Sequence, residues 1–365
     1  MICQRVWAQT YRMIQVDLAA IESNIRRIRP HTLRAPARSL RGPAGTVGLL
    51  VGRGKRPQSG GPAPAKQLQM GPLSRRETPA ALFAIDRALD VRALNVAPWA
   101  DRANALATEQ PTADELSRTG RELAHLNPVP SDAEVWVTLN LFHTGFQSDV
   151  PVSDSFVIAT RPEYFALDWH ELPLSALAAI VRAWQVIEEI GRERGEIPLL
   201  FGNAGGPLSG RSLTDPHAQA QLCVMQPDLY RTLDQNRSWF SETLIESREQ
   251  EIDVPAVKNL ALLAHPAPEF NYTLLIIARA PVERLAEVDP MEVALVLDTA
   301  LKALVRRLGD RPAYNVVARG LGAGHLHLEI VPRTTNIKGG AEIAAGSATI
   351  DFDPEWVKGA LAAGV

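Results

Sequence analysis

Apolar positions along the chain change period in an order that occurs twice. From Leu174 to Gly195 the segment LSALAAIVRAWQVIEEIGRERG carries a 3.6-residue pattern and ends on glycine, which predicts a helix between Pro173 and Gly195. A second helix is predicted from Pro290 to Leu308, with Val293, Val296, Leu297, Ala300, Leu301 and Leu304 on one side. Short β-branched and aromatic runs precede the first helix (Val135–Asn140 and Ser155–Thr160) and follow it (Pro198–Phe201 and His217–Met225). Around the second helix the corresponding runs are Leu260–Leu263, Tyr272–Ala278, Tyr314–Ala318 and His325–Val331. In each half a glycine loop, Asn203–Gly210 or Gly320–Gly324, leads into the histidine-bearing strand. The expected fold class is therefore α+β: two copies of one unit, antiparallel sheets each packed with a long helix.

The flanks read differently. Residues 14–29 form a short amphipathic pattern, with Ile14, Leu18, Ile21, Ile25 and Ile28 at helical spacing. Residues 30–76 are rich in Pro, Gly, Ser and Arg, a composition that favours poor order, with Val47–Val51 as a strand-like island. Helical composition returns over 78–124. The expected division is a basic, partly disordered leader at 1–76, a first domain at 77–240 and a second at 241–365. The boundary falls in the charged stretch SETLIESREQEID.

Charge sharpens that division. No acidic residue lies between Glu22 and Glu77, where twelve Arg and Lys occur; the 41 acids all lie outside, with 26 basic residues. The acidic body argues against general nucleic-acid affinity. At 46% apolar and 22% charged residues, the chain can bury a sizeable core. Two cysteines, Cys3 and Cys223, exclude a disulfide framework and the Cys-x-x-Cys zinc staples. No apolar run reaches membrane-span length and no signal-peptide core is present, so a reducing cytoplasm is the expected location.

Candidate chemistry sits on the two histidine strands. On an extended Asp215-Pro-His217-Ala-Gln219, alternate side chains face one way. The loop before it, with Asn203, Gly205, Gly206 and Gly210, suits close backbone approach to a phosphate. An imidazole facing such a loop can attack phosphorus and form a transferable N–P bond, while a nearby amide donates to a phosphate oxygen. A histidine that only caps or packs fits the same spacing. His325, His327 and Glu329 share a face of the second strand, an arrangement open to a divalent metal or to a buried polar network. Glu342, beyond Gly339-Gly340, suits sugar hydroxyls or plain solvent. Trp169 and Trp184 read as helix and core packing, and Cys223 as a small buried hydrophobe.

These segments resemble the galactose-1-phosphate uridylyltransferase-like family of histidine-triad nucleotidyltransferases. FGNAGGPLSGRSLTDPHAQ (201–219) is similar to the family's active-site segment, in which Phe-x-Asn, a glycine loop and Ser precede His-Pro-His-x-Gln. GHLHLEIVPR with the later GGAE and Ala345-Gly-Ser is similar to its second-half signature, Asn140 falls in its nucleotide-contacting strand, and Arg53-Gly-Lys-Arg56-Pro57 is similar to its Arg-x-x-Arg-Pro element. The resemblance implies a duplicated histidine-triad fold. It makes His217 the nucleophile, Gln219 and Ser212 holders of its phosphate, and Asn140, Asn203, Gly205 and Gly206 part of the nucleotide site. Arg53 and Arg56 would clamp phosphates, Glu342 would bind the acceptor sugar, and His325 and His327 would line the second-half cleft. Gln219 stands where related hydrolases place a third histidine, and an amide cannot do acid–base work, so transfer is favoured over hydrolysis.

The departures are informative. Many relatives bind zinc through Cys-x-x-Cys, a distant His and the first His of His-Pro-His; here the Cys pair is missing and that His is Asp215. A second family metal site uses an upstream His where Arg319 stands. No metal and no other cofactor is therefore expected. The implied activity is uridylyl transfer between a UDP-sugar and a hexose 1-phosphate, as in galactose metabolism, through a nucleotidyl-histidine, with a homodimer as the family's common assembly. The alternatives are an ATP adenylyltransferase or diadenosine tetraphosphate phosphorylase, and a non-catalytic nucleotide-sugar binder.

Overall fold

Runs of period two and period 3.6 fold as separate elements of one α+β architecture. The computed structural model describes residues 16–28, 33–41, 47–51, 80–98, 100–101, 129–140, 142–146, 152–211, 215–309, 311–334 and 349–362. In chain order the elements begin with α1 (Leu18–Ile28), β1 (Leu33–Arg41), β2 (Val47–Val51), β3 (Phe83–Asp86) and β4 (Val91–Ala93). There follow β5 (Ala133–Leu139), β6 (Phe142–Phe146), β7 (Val152–Thr160), α2 (Leu174–Arg194), β8 (Ile197–Ala204) and β9 (His217–Cys223). The rest comprises α3 (Asp228–Gln235), α4 (Ser238–Glu246), β10 (Glu251–Ile252), β11 (Leu260–Ala264) and β12 (Leu274–Ala278). Last come α5 (Pro290–Leu308), β13 (Tyr314–Arg319), β14 (His327–Pro332) and α6 (Pro354–Ala362).

Eleven of the described strands make one antiparallel sheet, ordered β10-β11-β12-β14-β13-β8-β9-β7-β5-β3-β4. The order is mirrored about the central β13–β8 pair. Outward on each side come the strand after the long helix, the histidine strand, and then the two strands that precede the helix. Tyr314 through Ala318 pair with Ala204 through Leu200, so the sheet crosses the middle of the chain without a break.

Both long helices pack on one face of this sheet. α2 is buried nearly all round, including Ala176, Ile180, Ala183, Trp184 and Ile187. It ends where Gly195 takes a left-handed conformation (φ 69°) and its N–H caps the last carbonyls. α5 begins at Asp289, whose side chain accepts the Met291 N–H at 2.9 Å, and carries Pro290 in its first turn. A single apolar cluster runs from Ile21, Ile25 and Ile28 of α1 through both helices to Val357 and Leu361 of α6. Trp169 and Trp184 lie inside it with ring centres 6.0 Å apart, and Cys223 is fully buried.

Two expectations change. Within 78–124, where helical composition is read, residues 83–93 hold the β3–β4 hairpin and helix occurs at 97–98 and 100–101; 78–79, 99 and 102–128 lie outside the described residues. The short run Leu82-Phe-Ala-Ile-Asp86 is ambiguous by composition; pairing of β3 with β5 makes it a strand. Asn24 of α1 secures the hairpin by donating to the Leu82 and Leu94 carbonyls at 2.8 and 2.7 Å. The leader contains β1 as well as the expected Val47–Val51 strand; β1 pairs antiparallel with β2 and parallel with β6. The charged stretch at 241–253 contains the end of α4 and the edge strand β10.

Two buried polar side chains of α2 tie it to loops of the second half. Gln185 donates to the Leu285 and Val288 carbonyls at 3.0 and 2.8 Å. Glu188 accepts the Ala286 N–H at 2.9 Å and the Leu321 N–H at 3.0 Å. Gly320 leaves room for that carboxylate, since a Cβ there would stand 2.4 Å from Glu188 Oε1. Burial pushes the Glu188 carboxyl up from 4.5 to about 7 despite those N–H donors. Between those values the unfolded chain has released a proton that the folded chain keeps, so this group lowers stability as pH rises. Its share is roughly 3 kcal/mol across the window, at about 1.4 kcal/mol per unit. Buried His327, held down to about 4, acts in the opposite sense between about 4 and 6.5. The Glu188 effect is therefore read as a difference. Urea unfolding from pH 4.5 to 7.5 should show wild type losing about 3 kcal/mol relative to Glu188→Gln; a pH-independent difference would refute the assignment.

Candidate active site

Alternation along β9 divides its side chains. Ala218, Ala220 and Leu222 enter the core, while His217, Gln219 and Gln221 take the face opposite the long helices. Gln219 lies between Val157 of β7 and Phe201 of β8, and His217 is opposite Ala159. Two residues beyond Phe201, Asn203 pairs with Asn315 of β13. Asn140 follows β5; its backbone N–H donates to the Ser155 carbonyl at 2.8 Å and its amide lies 3.5 Å from Ser155 Oγ. The sheet thus puts His217, Gln219, Asn203 and Asn140 on one face. Ser212, Arg53, Arg56 and Glu342 lie outside the described residues.

His217 is 2% exposed, and its Nδ1 is 2.8 Å from the backbone carbonyl of Asp215. A carbonyl can only accept, so Nδ1 carries the proton; in the neutral form of this tautomer the lone pair lies at Nε2. Asp215 therefore meets the imidazole through its main chain. It precedes β9, which starts at His217, and Pro216 between them has no N–H for the ladder. The Pro216 carbonyl is taken by Thr160 Oγ1 at 2.9 Å. The Asp215 carboxylate is buried and its charge acts on Arg211.

The glycine loop is held from below. Gly205 has φ 68°, and a Cβ there would fall 1.8 Å from the Pro312 carbonyl oxygen. Its N–H donates to Asp168 Oδ1 at 3.2 Å, and its carbonyl accepts from Arg211 Nη1 at 3.3 Å. Arg211 and Asp168 are 3.6 Å apart and both buried. Burial lowers the Arg211 pKa against the opposing pull of Asp168, Tyr314 and Asp215. The N–H of Gly205 is thus engaged within the protein, while Gly206 is partly exposed.

Asn315 joins the halves at this level. Its Nδ2 donates to Asn203 Oδ1 at 2.7 Å and to the Ser209 carbonyl at 2.8 Å, and its Oδ1 lies 3.4 Å from Arg333 Nη1. Sequence reading passed over Asn315, Arg333, Asp168 and Arg211. Asn315 occupies a polar phase of β13, which alternation could have revealed; the other three become relevant only through long-range contacts.

The second histidine strand repeats the first in one respect. His327 Nδ1 is 2.9 Å from the carbonyl two residues earlier, that of His325. Its surroundings differ. Phe240 of α4 stacks on both rings, at 4.3 Å from His327 and 5.3 Å from His325, and His325 Nε2 donates to the Ala278 carbonyl at 2.9 Å. Burial, reinforced by Arg319, holds His327 neutral at ordinary pH. Arg319 hydrogen-bonds Glu329, and His265 Nε2 approaches the same carboxylate at 3.4 Å. His265 Nδ1 accepts the Ala267 N–H, so its other nitrogen bears the proton. Burial alone would raise the Glu329 pKa, but His265 and Arg319 hold it well below the carboxylate range. An arginine cation inside this set does not suit a divalent metal.

No protein-family model matches this sequence, and no curated protein does. Solved structures do. A uridylyltransferase aligns at TM-score 0.56 and 20% identity, over 63% of this chain and 86% of its own. A GalT-like protein from Arabidopsis thaliana aligns at 0.55 and 19%, over 64% and 84%. An ADP-glucose phosphorylase from the same plant, solved with ADP-glucose bound, aligns at 0.55 and 18%, over 65% and 84%. The fold is thus the one shared by uridylyltransferase, the GalT-like protein and ADP-glucose phosphorylase, the group that the histidine segments resemble. No helix among the described residues is long and apolar enough to cross a membrane.

The two loop glycines should respond differently to a methyl group. Gly205→Ala meets backbone in a left-handed conformation and should destabilise by about 2–4 kcal/mol. In Gly206→Ala the nearest atom is 3.5 Å away, an ordinary contact, and the change should stay within about 1 kcal/mol. Thermal unfolding of both variants checks this; equal effects would show that the loop is not pinned as described.

Proposed function

We propose that the protein is a nucleotidyltransferase that works through a covalent nucleotidyl-His217 intermediate. The observation that carries this reading is the Nδ1–H of His217 donating to the Asp215 carbonyl, with Gln219 and Asn203 on the same sheet face. The mirrored strand order supports two copies of a histidine-triad-like unit, with the first copy holding the nucleophile. The Nε2 lone pair attacks the phosphorus of the donor's nucleotidyl group. The bond from that phosphorus to its bridging oxygen breaks, and the electron pair leaves with the sugar phosphate. As the imidazole becomes positively charged, the Asp215 carbonyl stabilises it through Nδ1–H. Gln219 and Ser212 donate to the phosphate's non-bridging oxygens. An oxygen of the acceptor phosphate then attacks the same phosphorus, and the N–P electron pair returns to Nε2. Neither half-reaction needs a net proton, which suits a glutamine at position 219.

For the substrate, uridylyl transfer between a UDP-sugar and a hexose 1-phosphate is the first choice, with Glu342 on the acceptor sugar and Arg53 and Arg56 on the nucleotide's phosphates. A homodimer and a cytoplasmic location complete this reading. Adenylyl transfer is the second reading, favoured by the fold shared with an ADP-glucose phosphorylase that binds ADP-glucose. In neither does a metal take part at the second-half histidines, which Arg319 and Phe240 occupy.

Incubation with UDP-glucose or ADP-glucose labelled in the nucleotidyl phosphate should leave acid-labile label on the protein. The label should be absent from His217→Ala, and turnover of that variant should fall by at least about a thousandfold. The base that labels identifies the donor. Binding of these nucleotides without label or product would favour the non-catalytic reading.

A further inference from the structure

The proposed chemistry places the transferred phosphate against His217 and Gln219, but a transferase must also hold a second phosphate, on the leaving group or the acceptor. The row of residues that starts at the nucleophile continues across the sheet. From His217 on β9 it passes to Asn203 on β8, to Asn315 on β13 and to Val331 on β14; Arg333 stands two residues beyond Val331, just past the end of β14. Glu329, Val331 and Arg333 alternate onto the same face as Arg319 and Asn315. Strands are about 4.8 Å apart, so Asn315 stands roughly 10 Å from the His217 backbone. The Arg333 side chain turns back toward it, with Nη1 3.4 Å from Asn315 Oδ1.

Several contacts hold Arg333 in that position. Its backbone N–H donates to the Ala313 carbonyl at 2.7 Å, Pro332 precedes it, and its guanidinium lies 4.9 Å over the Phe270 ring. Asn315, which it contacts, is itself held by Asn203 and Ser209. A planar guanidinium held from several sides loses little freedom on meeting a phosphate, which it can bind through two donors. We infer that Arg333 is a further binding residue, beside Arg53 and Arg56, for the non-transferred phosphate, that is, the phosphate of the leaving group and of the acceptor, supplied by the second half of the chain to a nucleophile in the first. This assignment rests on the nucleotidyl-histidine reading. It makes the β13–β8 junction a working part of the site: Asn203 and Arg333 are set by the same amide, so the nucleotide and the second phosphate are positioned together.

The test separates the two half-reactions in the full chain. Wild type, Arg333→Ala and Arg333→Lys are labelled with saturating UDP-glucose or ADP-glucose. Each labelled protein is then discharged with inorganic phosphate or glucose 1-phosphate. In Arg333→Ala the label should still form, while the acceptor concentration for half-maximal discharge rises on the order of 10- to 100-fold. Added guanidinium ion should recover part of the discharge rate in Arg333→Ala and not in wild type. Arg333→Lys should fall between the two. Wild-type acceptor dependence in Arg333→Ala would overturn the assignment and leave the histidine mechanism standing. Equal losses in labelling and discharge, without guanidinium recovery, would also overturn it and mark Arg333 as scaffold. Failure of wild type to label with either donor would overturn the mechanism and the assignment together.

Discussion

The pairing of β13 with β8 is the constraint on which the rest depends. It joins strands from the two halves edge to edge, and the edges of both half-sheets are satisfied by each other. Once that register is set, alternation does the rest. Odd-numbered residues of β9, β8, β13 and β14 reach one face together, and their even-numbered neighbours meet α2 and α5. A shift of β13 by one residue against β8 would turn Asn315 to the helix side while Asn203 and His217 kept their face. Asn315 guards the register by bonding Asn203 across the junction, and Glu188 and Gln185 fasten the same halves on the helix side.

The two histidine strands show how one local geometry takes two electrostatic settings. His217 and His327 each present Nδ1 to the carbonyl two residues earlier, so both neutral rings are protonated there. Around His327, α4 closes the face with Phe240, and Arg319 supplies a fixed positive charge. Burial and that charge both oppose protonation, and Glu329 draws its compensation from Arg319 and His265. Around His217 the neighbours are amides, Gln219 and Asn203, and a loop tightened by buried Asp168 and Arg211. Amides can donate to phosphate oxygens without changing charge, whereas the second site already holds its ions. The asymmetry is one of surroundings, not of backbone.

Much of this was legible beforehand, for physical reasons that differ by element. The long helices carry enough periods to declare themselves, and α5 runs over the predicted residues, Pro290 to Leu308. The histidine strands are marked by alternation and by the glycines ahead of them. Residues 82–86 misled because so short a run has no distinguishing period, and the strand is set by pairing with β4 and β5. Of the candidate site residues, His217, Gln219, Asn203 and Asn140 are named by motif and resemblance, and their phase along each strand decides the face they share.

The sequence by itself determined the α+β class, the repeated order of elements and the candidate His217, since each lies within a local stretch whose period or composition carries the information. Only the tertiary structure decided that Asp215 serves His217 through its carbonyl, that Gly205 is locked by Asp168 and Arg211, and that Arg319 neutralises Glu329. It also brought Asn315 from the second half into line with Asn203 and His217, with Arg333 beside it. These depend on contacts between residues far apart in the chain, and on where a buried polar atom finds its partner, which no local pattern encodes.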